Sequence, residues 1–217
     1  MPEQYQHSHD RVIKSPNMDD SSASHALPRS PELMRPADTA LLVVDVQERL
    51  MAVQPEGARI AWNARRLVDA AQILGVRTSA TEQYPAKLGP TIPQLADRIT
   101  TDIPDKMTFS CGSCSAIFAD WQAAGIHRVL VCGIETHVCV QQTVLDLLAA
   151  GYQVLVAADA VGARHVIDHE IALRRLEASG ALLTTTEAAM LEWCGIAGTE
   201  QFKQISVLAK EEPPINS

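Results

Sequence analysis

Val-Leu-Val-Cys-Gly-Ile-Glu-Thr-His-Val-Cys-Val-Gln-Gln, residues 129–142, reads as a buried strand running into a helix. Val129 to Cys132 is unbroken apolar chain closed by Gly133, as suits a strand covered on both faces. From Thr136 an amphipathic run through Val138, Leu145 and Leu148 stops at Gly151, which predicts a helix with Cys139 in its first turn. Backbone N–H groups there lack helical partners and the helix end is partly positive, so a thiol is biased toward thiolate and the amides could hold an oxyanion. The same residues also fit a plain strand-to-helix turn around a buried, inert cysteine.

On either side, strands and helices alternate. Thr39 to Val46 is a second continuous apolar run, broken only by Asp45 near its carboxyl end. Asp45 reads either as a cap or turn residue or as a group in the crevice outside the strand ends, where open parallel sheets bind ligands. Ala58 to Leu74 has helical apolar spacing and ends at Gly75; Val76 to Ala80 is the next strand, and Glu82 to Pro93 an irregular loop with three prolines. Ile103 to Phe109 is a short extended segment carrying Lys106, which suits a water-facing strand edge as well as a site. After the helix Ser115 to Ala124 and the quoted strand come a strand at Val154 to Ala157, a helix at Arg164 to Ser179, a strand at Ala181 to Thr185 and terminal helices at Glu187 to Trp193 and Gln201 to Lys210. The α/β alternation, with connections too long for hairpins, predicts a six-stranded, mainly parallel sheet with helices on both faces.

Composition narrows the function. The chain has 217 residues, 47% hydrophobic, with formal net charge -8, so it offers no basic field for nucleic acid or an anionic membrane. Neither a membrane-spanning run nor a signal-peptide pattern is present, and a cytoplasmic location is expected. Residues 1–37, rich in Ser, Pro, His, Asp and Met, read as a flexible N-terminal extension or an arm on a partner subunit, with the domain over residues 38–217. The five cysteines read as reduced thiols. Cys111 and Cys114 form a C-x-x-C that would suit redox chemistry or half a zinc site, but no second ligand pair accompanies it. No glycine-rich nucleotide loop follows any strand, and no cofactor or metal is expected.

Asp45, Lys106 and Cys139 fall near the carboxyl ends of three different strands, which a parallel sheet brings to one edge. Thiolate, ammonium and carboxylate there would supply a nucleophile, its counter-charge and a general acid–base. With these residues in place the sequence resembles the isochorismatase-like cysteine hydrolase family, in its isochorismatase-domain-containing branch. The likeness runs from about Thr39 to Lys210. It rests on Leu-Leu-Val-Val-Asp-Val-Gln (41–47), Lys-Met-Thr-Phe-Ser (106–110), Gly-Ile-Glu-Thr-His-Val-Cys-Val (133–140) and Ala-Asp-Ala-Val-Gly-Ala-Arg (158–164). Thr-Glu-Gln-Tyr-Pro (81–85), Leu-Gly-Pro-Thr-Ile-Pro (88–93) and Phe-Lys-Gln-Ile (202–205) point to the branch.

The resemblance implies a three-layer αβα sandwich of Rossmann-like type. It also implies an Asp45, Lys106, Cys139 triad, a cis peptide between Ile134 and Glu135, and the amides of Glu135 and Cys139 as oxyanion donors. The implied reaction is hydrolysis of an amide or carbamoyl C–N bond of a small molecule through a thioester, by a homo-oligomer. Metal-dependent nicotinamidases of the family carry histidines after the second strand, whereas 81–85 here has none. Isochorismatases cleave a vinyl ether without a cysteine nucleophile; that reaction, or a silent assembly subunit, is the alternative. Gln47, Tyr84 and Phe109, flanking the motifs, are expected to line the pocket. His137 is expected to be structural or interfacial, Cys132 to be core, and Asp159 to organise a turn.

Overall fold

A computed structural model describes residues 27–214. The chain divides into an N-terminal unit, Met1–Ser30, and a body, Pro31–Ser217. Residues 1–26, most of the expected extension, lie outside the described residues. The packed body reaches back to Pro31, and Met34 is fully buried, its amide donating to the Glu192 carboxylate.

Six strands form one sheet: β1 (Thr39–Val44), β2 (Arg77–Gln83), β3 (Asp105–Lys106), β4 (Arg128–Ile134), β5 (Gln153–Gly162) and β6 (Leu182–Thr184). Their spatial order is β3-β2-β1-β4-β5-β6, and every pairing is parallel. The helices are α1 (Glu48–Met51), α2 (Gly57–Leu74), α3 (Pro85–Leu88), α4 (Pro93–Ala96), α5 (Ser115–Ala123), α6 (Gln141–Ala149), α7 (Val166–Ala178), α8 (Thr186–Cys194) and α9 (Glu200–Ala209).

Side chains alternate across each strand, so a strand covered on both faces must be apolar at every position. In β1, Leu41 and Val43 join one core with Ile60, Ala64 and Leu67 of α2, Met190 of α8 and Ile205 of α9. Ala40, Leu42 and Val44 join the other with Trp121 of α5, Val144 of α6 and Leu176 of α7. The result is the three-layer αβα sandwich. α7 is less committed: it buries Ala172 and Leu176 but leaves Val166, Ile167 and Ile171 exposed, which explains its scattered apolar pattern.

The chain order reverses between β1 and β4, creating the switch point at which open α/β sheets place their ligands. The strands approach closely there. Gly133 pairs with Val44 at φ 114°, and a Cβ on it would lie 2.0 Å from the Val44 carbonyl oxygen. Only glycine fits that position. Immediately beyond, Asp45 follows β1 with φ 50°, and the Ile134–Glu135 peptide is cis.

Candidate active site

β1 ends into Asp45, which is fully buried. Its amide donates to the Thr81 carbonyl at 3.2 Å, and its Oδ1 accepts from Thr81 Oγ1 at 2.8 Å. Its Oδ2 lies 2.7 Å from Lys106 Nζ, and neither of these two side chains is exposed. Lys106 is the last residue of β3, which is reduced to two residues rather than the longer segment expected. Burial works against its ammonium, but the neighbouring Asp45 carboxylate outweighs that and raises its pKa. Nζ also faces Gln83 Oε1 at 2.8 Å and the carbonyl oxygens of Phe109 and Thr108 at 2.9 and 3.3 Å.

Cys139 arrives from β4 through a single π-helical turn, Thr136–Val140, that leads into α6. In that turn the Glu135 carbonyl accepts from the amides of Val138 and Val140. Only 5% of Cys139 is exposed. Burial, then the Asp45 charge, push its thiol well above the ordinary value, outweighing the nearby Lys106 cation. The thiolate bias expected from the helix start is thus reversed in the resting site, where burial and the Asp45 charge favour the neutral Cys139 thiol.

The three expected site residues come together, and β2 supplies two more, Thr81 and Gln83, which lie beyond the strand end expected at Ala80. β2 runs on to Gln83, so Thr81 and Gln83, two apart, present the same face. Thr81 holds Asp45, and Gln83 holds Lys106 while donating to the Met107 carbonyl at 3.1 Å. Polar residues at alternate positions of a strand bound for the core were the signal available.

Gln47, expected at the pocket, has its side-chain amide bonded to backbone. It is fully buried, its Oε1 accepts from the Gln83 amide at 2.7 Å, and its Nε2 donates to the Gln83 and Gly89 carbonyls at 3.0 and 2.6 Å. With its amide group spent on backbone, Gln47 braces the end of β2. Tyr84 and Phe109 remain accessible, 39% and 51% exposed, on either side of Lys106: the Tyr84 amide donates to the Lys106 carbonyl and the Phe109 carbonyl receives its Nζ.

A second ion pair borders the cis peptide. Arg164, just after β5, meets Glu135 through Nε to Oε1 at 2.9 Å and Nη2 to Oε2 at 3.3 Å, and Gln54 Nε2 donates to Oε1 at 3.1 Å. Burial opposes the Glu135 carboxylate, but Arg164 and Gln54 outweigh it and lower its pKa. Cys111 is a second buried thiol beside the triad, 3.4 Å from Thr81 Oγ1; burial and Asp45 raise it to about 11. All five cysteines are free thiols. Cys132 is fully buried in the core. Asp159 fixes the start of α8 by accepting from the Thr186 amide and hydroxyl, and His137 lies 3.9 Å from Asp168.

Among the described residues no group of three or more His, Cys, Asp or Glu could hold a metal ion, and no helix is long and apolar enough to cross a membrane. A groove of about 1170 Å³ between α5 and α6 contains no triad side chain.

Residues 39–188 match the isochorismatase domain model. The chain is 39% identical over 180 residues to isochorismatase domain-containing protein 2 of Bos taurus, covering 82% of this chain and 86% of that protein. It is 36% identical over 197 residues to the secreted isochorismatase effector Isc1 of Phytophthora sojae, covering 88% and 91%. Among solved structures it is similar to the MAR1 ribonuclease of Caenorhabditis elegans, with TM-score 0.77, 37% identity, and coverage of 85% of this chain and 95% of that one.

Proposed function

From the premise that this chain belongs to the isochorismatase family, a hydrolase family, we propose that it hydrolyses an amide or carbamoyl C–N bond of a small molecule with Cys139 as nucleophile. The observation that carries the proposal is the fully buried Asp45 carboxylate, held by Lys106 at 2.7 Å at the switch point of the sheet, with its charge acting on the Cys139 thiol. A carboxylate so placed is a base aimed at the one proton that must leave for the sulfur to attack.

In the proposed cycle Cys139 Sγ bonds to the carbonyl carbon as its proton passes to Asp45. Negative charge gathers on the carbonyl oxygen, for which the backbone amides of Glu135 and Cys139 are the proposed donors. Collapse breaks the C–N bond as Asp45 returns the proton to the departing nitrogen, leaving a thioester. Water then attacks the thioester carbon, Asp45 taking its proton and passing it to Sγ as the acid leaves. Lys106, its donors already engaged, keeps Asp45 oriented and balances its charge. Tyr84 and Phe109 are the proposed walls of the substrate pocket. The exposed apolar residues of α7 support assembly as a homo-oligomer, to be checked by light scattering on a sizing column.

Intact-mass spectrometry after incubation with small amides, carbamates and activated esters tests the reading. The expected result is an acyl adduct on the native protein that is absent from Cys139→Ala. Turnover that survives in Cys139→Ala and disappears in Asp45→Ala would instead indicate vinyl ether cleavage, which needs only proton transfer. The name of the C. elegans relative raises ribonuclease action, but a net charge of -8 disfavours approach of a phosphodiester chain.

A further inference from the structure

We infer that the site selects electrically neutral small molecules and turns carboxylates away. This rests on the cysteine-hydrolase reading and extends it to the substrate class. The ground is charge accounting around Cys139. Lys106 is matched by Asp45 at 2.7 Å, and Arg164 by Glu135 at 2.9 and 3.3 Å. Each cation already has one carboxylate, so the two pairs sum to zero.

The donors of Lys106 are spent as well as its charge. Lys106 has three N–H bonds and faces four oxygens, at 2.7, 2.8, 2.9 and 3.3 Å. Arg164 gives the edge formed by Nε and Nη2 to Glu135. His169 is 2.9 Å from Thr136 Oγ1, and burial followed by the field of Arg59 lowers its pKa, so it adds no cation at neutral pH. His137 faces the carboxylate of Asp168. Arg49 and Lys87, on the segments beside the site, are exposed, where water and salt screen them.

A substrate carboxylate entering such a site would leave water without gaining a free cation, an unfavourable exchange. It would also meet Asp45 and Glu135 and, at longer range, a molecule of net charge -8. A neutral amide or carbamoyl group needs only dipoles.

The test compares two reagents of similar size, neutral iodoacetamide and anionic iodoacetate. Each forms a thioether with Sγ and releases iodide and a proton, and peptide mass spectrometry reports the rate at each cysteine. Taking the ratio cancels the intrinsic reactivity of the sulfur. The iodoacetamide-to-iodoacetate ratio at Cys139 should exceed that at Cys194, the one cysteine that is not buried, by at least about tenfold. In Glu135→Gln, which leaves Arg164 uncompensated, the ratio at Cys139 should fall back toward that at Cys194. Equal ratios at the two cysteines of the native protein would overturn the inference while leaving the nucleophile reading intact. A ratio unchanged in Glu135→Gln would overturn the assignment to paired charges. Failure of both reagents to label Cys139 would overturn the nucleophile reading, and this inference with it.

Discussion

The two ends of β2 stand beside ion pairs of nearly equal length in opposite surroundings. At its start Arg77 lies 2.9 Å from Asp120, with side chains 49% and 58% exposed. At its end Gln83 supports Lys106, 2.7 Å from Asp45, with neither side chain of that pair exposed. Distance would rank them together; solvent separates them. An exposed pair contributes about 0.2–1 kcal/mol, whereas charges withdrawn from water cost several kcal/mol each before their attraction is counted. Apolar side chains would often serve stability as well or better in the buried place. Charges kept there point to chemistry.

The largest effect should come from breaking the buried end. Lys106→Ala strands the Asp45 carboxylate, and a stability loss of about 3–5 kcal/mol is expected from urea denaturation. A loss below about 1 kcal/mol would make the two ends of β2 equivalent and sink the comparison. Asp45→Asn sharpens it, because turnover reads the loss of the base while alkylation reads the loss of its charge. Turnover of whichever probe acylates Cys139 should fall about 10²–10⁴-fold, since the proton acceptor is gone. Alkylation of Cys139 at neutral pH should nevertheless quicken, because the Asp45 charge that raises the thiol is removed while Lys106 stays.

The pH profile carries the sign. In the native protein the Cys139 pKa lies above the ordinary 9.0, so alkylation should still be climbing at pH 9; in Asp45→Asn the climb should begin lower. A later climb in the variant would show that Asp45 does not hold the thiol protonated. A smaller change is expected for Gln83→Leu, which deprives Lys106 of one acceptor: about a tenfold drop in kcat/KM, equivalent to about 1.4 kcal/mol. Smallest of all, Arg77→Ala should cost less than about 1 kcal/mol and leave activity unchanged.

The same strand shows why some of the molecule was legible and some was not. β1 and β4 are apolar at nearly every position because both their faces are covered, and that pattern is visible in a single sequence. Arg-Thr-Ser-Ala-Thr-Glu-Gln, the whole of β2, carries no such pattern. Its partner on the outer side is β3, only two residues long, and its last residues face a polar site rather than a core. The sequence pattern therefore ends the strand at Ala80 and leaves the roles of Thr81 and Gln83 unassigned. Asp45 and Lys106 could be picked out because charged residues are costly to bury, and Cys139 because it falls where an apolar strand runs into a helix. Their ionisation could not, because the helix start at Cys139 is local while the carboxylate opposing it lies far away in sequence. The partners of Gln47 were hidden for a related reason: a glutamine beside a motif looks the same whether its amide faces a ligand or the backbone.

Met34 bears on where this protein can be divided. The family match begins at residue 39, yet Met34 lies wholly inside the core, and its backbone amide is tied to Glu192 of α8. The span matched by the family and the packed body therefore have different beginnings. A chain started at Thr39 would keep every triad residue but lose a buried side chain of methionine size, a change that in other cores costs about 2–5 kcal/mol. A chain started at Pro31 retains that plug, so family alignment alone would place the cut inside the core.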